Sequence, residues 1–303
     1  MKEYIRYDNH ELEWDKCIND EEKSKKAQTW IRKENTLDTW RHEQMYSLVE
    51  PIITHNLSYK WLTVGDGRYG TDANALIRMG AKNVFCTDIS DKLLKIGSDA
   101  GFINEFAAEN AEQLSFYKSQ FDFIFCKESY HHFPRPHIAL HEMLRVCKIG
   151  VVLIEPNDTK IDGKFLNSAL TIIKRIFRRR ANISGHDFEP VGNYVFSISE
   201  RELEKFQLGM HRRFIAFKSF NDYFEPGFEF INLDQPSSTE KLKIIKTKLY
   251  IKLRNFFSRY KLIAPGLLAS ILFKAQPDQK LMDALKIHGW TLKKLPQNPY
   301  LGD

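Results

Sequence analysis

Residues 61–70 read Trp-Leu-Thr-Val-Gly-Asp-Gly-Arg-Tyr-Gly, and they carry the most informative pattern of the chain. Its first four residues predict a buried strand, and the amphipathic pattern from Thr71 to Met79 predicts a helix directly after the last glycine. A G-x-G-x-x-G turn between a strand and a helix is typical of a nucleotide-binding crevice, because glycine tolerates unusual backbone angles and lets a nucleoside approach the main chain. The alternative is a tight glycine turn without a ligand.

The same alternation of short apolar runs and amphipathic segments continues after this stretch. Further strands are predicted at Val84–Cys86, Phe102–Ala107, Phe121–Cys126 and Val151–Ile154. Helices are predicted between them at Asp91–Ala100 and His137–Val146. Repeated strand–helix units predict an α/β fold, in which a parallel sheet is covered by helices on both faces and binds ligands at the carboxyl ends of its strands.

The second half of the chain carries further patterns. Ser199 and Glu202 have the spacing of a capping box and open a helix that continues to about Gly209. Strands are predicted at Arg213–Phe220, Phe228–Asn232 and Trp290–Leu295, and a helix at Leu281–His288. We expect three parts, which are an N-terminal helical lid at 1–56, a ligand-binding core at 57–158, and a substrate-selecting part at 159–303 with a basic helical insertion at 237–275.

Composition limits the class of protein. With 303 residues and 43% hydrophobic side chains, the chain can bury a sizeable core. An apolar run of about 18 residues is absent and the first residues lack the apolar core of a secretory signal, so we expect a cytoplasmic protein. The four cysteines are scattered singly, which favours reduced thiols over a disulfide framework or a zinc site.

Charge is divided unevenly along the chain. Residues 1–158 hold 20 Lys and Arg against 25 Asp and Glu, whereas residues 159–303 hold 25 against 14. Two basic clusters, Lys160–Arg180 and Lys241–Lys261, interleave cations with apolar residues near helical spacing, and the second has eight cations and no anion. Each predicts either a helix packed on the domain by its apolar stripe or a contact with an anionic membrane surface or lipid-linked substrate. Nucleic acid is disfavoured because charge is its only signature here.

An acidic residue follows the glycine turn at a distance typical of ribose recognition. Asp88 lies eighteen residues beyond Gly70, at the end of the second predicted strand, where its carboxylate could accept hydrogen bonds from both ribose hydroxyls. Its rival role is the N-cap of the next helix, which Ser90 or Asp91 could equally fill. The glycine turn and this acid do not separate a dinucleotide enzyme from one that uses an adenosyl cofactor.

Three later segments separate these possibilities. Residues 109–116 (Glu-Asn-Ala-Glu-Gln-Leu-Ser-Phe), 121–126 and 140–153 resemble, in that order, the third, fourth and fifth strand regions of class I S-adenosylmethionine-dependent methyltransferases. Within that superfamily the chain is similar to the small-molecule group, whose third-strand motif reads G-D-A-E-x-L-P-F. The resemblance covers about residues 58–156. It implies a Rossmann-like sheet of seven strands with a reversed last strand, and S-adenosylmethionine as the cofactor of the core.

The resemblance also implies a set of cofactor contacts. The residues that it places at the cofactor are Gly65, Asp66, Gly67, Gly70, Asp88, Ile89, Asn110, Ala111 and Lys127. Of these, the glycines would form the loop, Asp88 would hold the ribose, and Ile89, Asn110 and Ala111 would lie at the adenine. The chain departs from the family pattern at Thr63, where an acid is common, and at Asn110, where an aspartate is usual. The loop is one residue longer, and residues 149–151 replace a Pro-Gly-Gly turn.

Methyl transfer from a sulfonium needs in-line alignment and exclusion of water, and an oxygen nucleophile must also lose a proton. Candidate bases follow the predicted strand ends or lie in the loop beyond them, and they are His131, His132, His186 and Glu189. The alternatives are that the histidine pair is a structural element of the family and that the later loop is ordinary surface. Metal is not expected, because no carboxylate has a matching spacing.

These observations lead to one functional hypothesis with two rivals. We expect an S-adenosylmethionine-dependent methyltransferase acting on a small molecule or sugar, with O-methylation favoured. A surface-polysaccharide acceptor is suggested because the extended basic tail is similar to those of enzymes from glycan gene clusters. A catalytically inactive nucleotide-binding module of the same fold and an NAD-dependent reductase are the alternatives. The oligomeric state stays open.

Overall fold

A computed structural model describes residues 20–159 and 193–300, together with Tyr7, Leu12, Ile18 and Phe188. Two of the predicted catalytic residues, His186 and Glu189, lie outside the described residues, as does the first predicted basic helix at 160–180. In the described part of the chain, no helix is both long enough and apolar enough to cross a membrane.

The described residues form one mixed sheet of eight strands. The strands are β1 (Lys60–Val64), β2 (Asn83–Asp88), β3 (Glu105–Ala108), β4 (Phe121–Lys127), β5 (Cys147–Pro156), β6 (Phe214–Phe220), β7 (Leu267–Phe273) and β8 (Thr291–Lys294). Their order across the sheet is β3-β2-β1-β4-β5-β7-β6-β8. Strands β1 to β5 are parallel, β7 is antiparallel to both β5 and β6, and β8 is antiparallel to β6. The predicted Rossmann-like α/β fold is confirmed.

Helices cover both faces of this sheet. They are α1 (Glu21–Ile31), α2 (Leu37–Tyr46), α3 (Glu50–His55), α4 (Thr71–Arg78), α5 (Lys92–Asp99), α6 (Pro136–Val146), α7 (Glu200–Gly209), α8 (Ser238–Arg259) and α9 (Gln279–Ile287). Ser199 caps α7 by accepting a hydrogen bond from the Glu202 backbone N–H at 3.2 Å, as its capping spacing predicts.

Three predictions about the later strands need correction. The sheet has eight strands rather than seven, because the chain continues past β7 through α9 and adds β8 beside β6. Residues Phe228–Phe230 form a short 3₁₀ helix and not the predicted strand. The end of the predicted helical insertion at 237–275 is β7, whose seven residues are all buried because the strand lies between β5 and β6.

Two apolar cores lie on opposite faces of the sheet. Successive side chains of a strand point to opposite faces, so Trp61 packs in the core that contains Ile52 and Ile53 of α3. Its neighbour Leu62 packs in the other core with Leu140 of α6. The strand order reverses at β1, which has β2 on one side and β4 on the other. In such sheets a crevice lies at the carboxyl ends of the strands, next to the point of reversal.

Candidate functional site

The glycine loop lies against the end of β2. The Gly65 N–H donates to the Thr87 carbonyl at 3.0 Å, and Gly65 has a φ of 76°. Gly70 begins α4 with a φ of 70°, and a Cβ added to it would lie 2.7 Å from Ile103 Cγ2. Both positions favour glycine because their φ angles are positive, and at Gly70 a side chain would also clash with Ile103.

Asp66 in this loop is buried and bound by the protein itself. Its carboxylate accepts hydrogen bonds from the backbone N–H groups of Asp72 at 3.0 Å and Ala73 at 2.8 Å, which are free donors at the start of α4. The Thr63 hydroxyl donates to it at 3.0 Å. Burial, and then the charge of Asp72, raise the pKa of Asp66 well above its ordinary value. An acid thus lies beside position 63, where the family commonly has one, and it holds the helix and loop together.

Asp88 lies on the other side of the loop and has the electrostatics of a ligand-binding acid. A Cβ on Gly67 would lie 2.9 Å from the Asp88 carboxyl carbon, so only glycine lets the loop and this carboxyl approach each other. Burial raises the pKa of Asp88 to about 7, although backbone N–H groups of Ser90, Ile89 and Gly67 donate to it. Burial outweighs these three donors, so further donors, such as two adjacent hydroxyl groups, would stabilise the charged form of this carboxylate.

The predicted adenine-edge residues lie beside Asp88. The Glu109 N–H donates to the Asp88 carbonyl at 2.7 Å, which brings the segment after β3 to the end of β2. The Asn110 side-chain oxygen accepts from the Glu112 N–H at 2.9 Å, so it shapes the local turn. Ala111 is buried and Ile89 is half-buried.

A histidine–carboxylate pair follows the neighbouring strands β4 and β5. Glu155 at the end of β5 is fully buried, and one of its oxygens accepts from the backbone N–H groups of Ser129 at 3.0 Å and Tyr130 at 2.9 Å. Its other oxygen lies 2.6 Å from His131 Nδ1. We assign the proton of a neutral His131 to Nδ1, because the carboxylate can only accept. Nε2 is then the basic nitrogen of the ring.

The same segment touches the glycine loop directly. The Ser129 hydroxyl donates to the Gly65 carbonyl at 2.6 Å, which joins the end of β4 to the end of β1. The structure thereby brings the loop, Asp88 and His131 to one edge of the sheet. The His132 ring centroid lies 3.9 Å from that of His131, and the His132 carbonyl accepts from Asn193 Nδ2 at 2.9 Å. The backbone of His132 thus holds the segment after residue 192 beside the histidine pair, and both roles raised from the sequence stay predictions.

Lys127, which the resemblance places near the cofactor, is buried in a cluster of charged and polar side chains. Its ammonium lies 3.4 Å from Asp72 Oδ1 and 3.2 Å from Glu128 Oε2, and it contacts His42 Nδ1 at 3.0 Å. Burial would lower the pKa of Lys127, but Asp72 and then Glu128 raise it above its ordinary value. Burial would likewise raise the pKa of Glu128, yet Lys127 holds it well below its usual range. Both groups are therefore charged.

Helix α2 supplies the outer half of this cluster, which the sequence did not predict. Burial, and then the Lys127 ammonium, hold the pKa of His42 well below its ordinary value, so its ring is neutral. Asp38 on the same helix accepts from Arg41 at 2.7 Å. Asp38, Arg41 and His42 have the spacing of one helix face, on which the apolar Met45 also lies. Three polar side chains on an otherwise buried face are the sequence pattern that could have predicted this cluster.

Comparison with known proteins agrees with this geometry. Residues 62–154 match a family model described as a methyltransferase domain. This segment is a class I methyltransferase domain. The match indicates S-adenosylmethionine as the cofactor of this segment and methyl transfer as its activity. A comparison with curated protein sequences gives no significant match.

Several solved structures have a similar fold. The YcgJ protein from Bacillus subtilis has 18% sequence identity and a TM-score of 0.47, with coverage of 78% of this chain and all (100%) of that one. Magnesium protoporphyrin IX methyltransferase from Synechocystis PCC 6803, solved with bound S-adenosylhomocysteine, has 13% identity and a TM-score of 0.44, with coverage of 78% and 84%. The [4+2]-cyclase SpnF has 18% identity and a TM-score of 0.44, with coverage of 76% and 78%.

The residues of the methyltransferase domain fit this cofactor. The fit rests on Asp88, a buried carboxyl whose pKa burial raises despite three backbone donors, and on Gly67, which leaves no side chain between that carboxyl and the loop. Asp88 would hold the ribose hydroxyls, and the loop from Gly65 to Gly70 would lie along the nucleoside. The contacts predicted for Ile89, Asn110, Ala111 and Lys127 stay predictions.

Proposed function

We propose that this chain is an S-adenosylmethionine-dependent O-methyltransferase that acts on a small molecule or sugar. The observation that carries the proposal is the contact of 2.6 Å between His131 Nδ1 and the buried Glu155 carboxylate. This pair lies after β4 and β5, and Ser129 links the same segment to the glycine loop. A histidine oriented in this way is suited to remove a proton from an acceptor hydroxyl.

The roles of the protein groups follow from their protonation states. S-adenosylmethionine supplies a methyl group on a sulfonium, which is a good leaving group. His131 Nε2 would take the proton of the acceptor hydroxyl as its oxygen receives the methyl group, the methyl–sulfur bond breaks and the sulfur leaves as a neutral thioether. The ring then carries a positive charge, and the Glu155 carboxylate stabilises it through Nδ1. Glu155 is a positioning residue, since it acts through His131.

The acceptor class is supported by the polar character of the neighbouring lid. His42 and Asp38 on α2 and Glu128 after β4 contact one another and make the edge of the domain beside the lid polar. Hydroxylated small molecules and sugars match such groups better than apolar acceptors do. We propose that the N-terminal helices form the lid and that the part after residue 158 selects the acceptor. A surface-polysaccharide sugar is the narrower form of this proposal and rests on the basic second half.

Cofactor binding is tested first, with a thermal-shift panel. S-adenosylhomocysteine is expected to raise the melting temperature of the wild type, NADH is not, and Asp88→Ala should remove the effect. Stabilisation by NADH alone would favour the reductase. If S-adenosylhomocysteine binds but a panel of hydroxylated acceptors and sugar nucleotides yields no methylated product, the inactive module is favoured.

The proposed base is tested by turnover with an accepted hydroxyl substrate. His131→Gln is expected to lower kcat by about 100-fold or more while S-adenosylhomocysteine still binds. Glu155→Gln keeps one acceptor oxygen but presents an amide to Nδ1, so kcat should fall while KM changes little. His288→Gln, at an exposed histidine of the C-terminal region, is the matched control. Full activity of His131→Gln would rule out this histidine as the base.

A further inference from the structure

Helix α8 is attached to the protein through a mostly polar face. Thr247 is its buried residue, and Asn255 Oδ1 accepts from the Asn221 N–H at 2.7 Å. Ser258 Oγ accepts from Asn221 Nδ2 at 2.9 Å. Ile244 packs against a small apolar cluster that includes Phe228. The side that faces the protein thus combines hydroxyl and amide groups with few large apolar side chains.

The apolar stripe of α8 faces away from the protein. Its residues are Leu242, Ile245, Leu249, Leu253, Phe256 and Tyr260. Steps of three and four residues place them on one face of a helix, and their exposed fractions range from 46% at Leu253 to 62% at Tyr260. A helix on a folded domain normally buries such a stripe. The sequence-based alternative, in which this stripe packs on the domain, therefore does not hold for α8.

Cations border the stripe on both sides. At 100° per residue, Lys241, Lys248, Lys252 and Arg259 fall on one flank, and Lys243 and Arg254 fall on the other. The segment Lys241–Lys261 contains eight cations and no anion. Lys243 Nζ pairs with Glu225 at 3.1 Å, and Lys248 Nζ lies 4.7 Å from the centroid of the Trp40 ring, so the ammonium groups of these two lysines contact the domain, whereas Lys241, Lys246 and Lys252 are exposed.

We infer that α8 lies in the interface of an anionic lipid bilayer. The apolar stripe enters the boundary between headgroups and acyl chains, and the flanking cations bind the lipid phosphates. A second copy of the chain is a poor occupant, because pairing through this face would bring two sets of eight cations together. Nucleic acid would match the cations but would leave the leucine and phenylalanine side chains in water. An anionic bilayer satisfies both chemistries at once.

Vesicle flotation of the full-length chain tests this inference without a turnover readout. The protein is expected to float with phosphatidylcholine vesicles that contain about 30% phosphatidylglycerol, and hardly with phosphatidylcholine alone. Each lysine near an anionic surface contributes about a fivefold factor in partitioning. Lys246→Glu with Lys252→Glu, at two exposed lysines of α8, should therefore lower binding at least about tenfold. Leu249→Glu with Leu253→Glu should lower it similarly by removing apolar insertion.

Matched controls carry the same changes outside α8. Ile287→Glu changes an apolar residue of α9 that is 82% exposed, and Lys280→Glu with Lys286→Glu reverses two α9 lysines. These variants should float like the wild type. Equal flotation with neutral and anionic vesicles, or loss of binding in the α9 variants as well, would overturn the inference.

Two further measurements keep the test decisive. If a charge variant unfolds, Leu249→Trp serves instead, since a tryptophan that enters the interface shifts its emission to the blue with anionic vesicles. An unchanged emission would contradict the inference. Light scattering reports the oligomeric state, and a dimer that Leu249→Glu dissociates, in a protein that binds no vesicles, would assign the face to a second copy and overturn the inference.

Discussion

Replacing Asp88 with asparagine is expected to stabilise the free protein while abolishing its binding of S-adenosylhomocysteine. Burial raises the pKa of this carboxyl from 3.8 to about 7. At 1.36 kcal/mol per pKa unit, the ionised form costs about 4 kcal/mol of folding stability above neutral pH. Asparagine removes the charge at nearly constant shape, but it accepts fewer backbone hydrogen bonds. We therefore expect a gain of about 1–4 kcal/mol.

The pH dependence of this gain has a definite sign. Because the folded-state pKa is raised, the wild type has its full stability below the unfolded pKa of about 4 and loses stability as pH rises towards 7. The advantage of Asp88→Asn should thus grow by about 1.4 kcal/mol per pH unit over that range and stay constant at higher pH.

Denaturant unfolding near pH 5 and pH 8, with and without S-adenosylhomocysteine, measures both effects. Asp91→Asn is the matched control, because Asp91 is exposed at the start of α5 and its side chain makes no capping hydrogen bond. A variant Asp88→Asn that is less stable than the wild type at pH 8, or that the ligand still stabilises, would refute the role given to this carboxyl.

Three further outcomes follow from the same contacts. Calorimetry should show that S-adenosylhomocysteine binds about tenfold more weakly for each pH unit below 7, because the hydroxyl donors need Asp88 ionised; a flat profile between pH 6 and 8 would contradict this. Gly67→Ala places a Cβ 2.9 Å from the Asp88 carboxyl carbon and should abolish thermal stabilisation by the ligand, whereas Gly209→Ala, whose Cβ meets no atom within 4 Å, should keep it. Lys127→Met leaves buried carboxylates without their cation and should lower the free energy of unfolding by about 3–5 kcal/mol. Chemical denaturation should show that adding Asp72→Asn restores part of that loss, and a purely additive second loss would argue against the pairing.

Local patterns predicted most of the parallel half of the sheet. Strands β1, β2, β4 and β5 and helices α4 to α6 lie where apolar runs and helical spacing placed them. Each of these elements shows its own period along the chain, so no partner had to be known. The glycine loop was predictable for the same reason, since a turn with positive φ at Gly65 and Gly70 needs particular residues.

The antiparallel half was predicted less well. Strand β7 (Leu267–Phe273) lies between β5 and β6 and is buried on both faces, so its sequence does not alternate between apolar and polar residues. In the sequence it therefore resembles a continuation of the basic helix before it. Phe228 is buried in a small cluster with Leu37. Its segment is therefore apolar enough to suggest a strand, although it pairs with no strand of the described sheet. Burial by distant residues, rather than local period, decided both.

The charged cluster between the lid and the domain was also beyond local patterns. His42 and Lys127 are 85 residues apart in sequence, yet their side chains are 3.0 Å apart. The acidic partners at Asp72 and Glu128 come from two further elements. Only the packing of α2 on the sheet edge brings these groups together, and their pKa values follow from that burial.

Contiguous residues were enough to predict the fold class and the glycine loop, because glycine spacing and strand–helix periodicity are local properties. The sequence also predicted that residues 241–261 form an amphipathic basic helix. The outward direction of the apolar stripe of this helix and the contact between Glu155 and His131 depend on residues that are distant in sequence, so they are visible only in the folded chain. Periodicity gives a helix an apolar face, whereas contacts with the rest of the folded chain determine whether that face is buried.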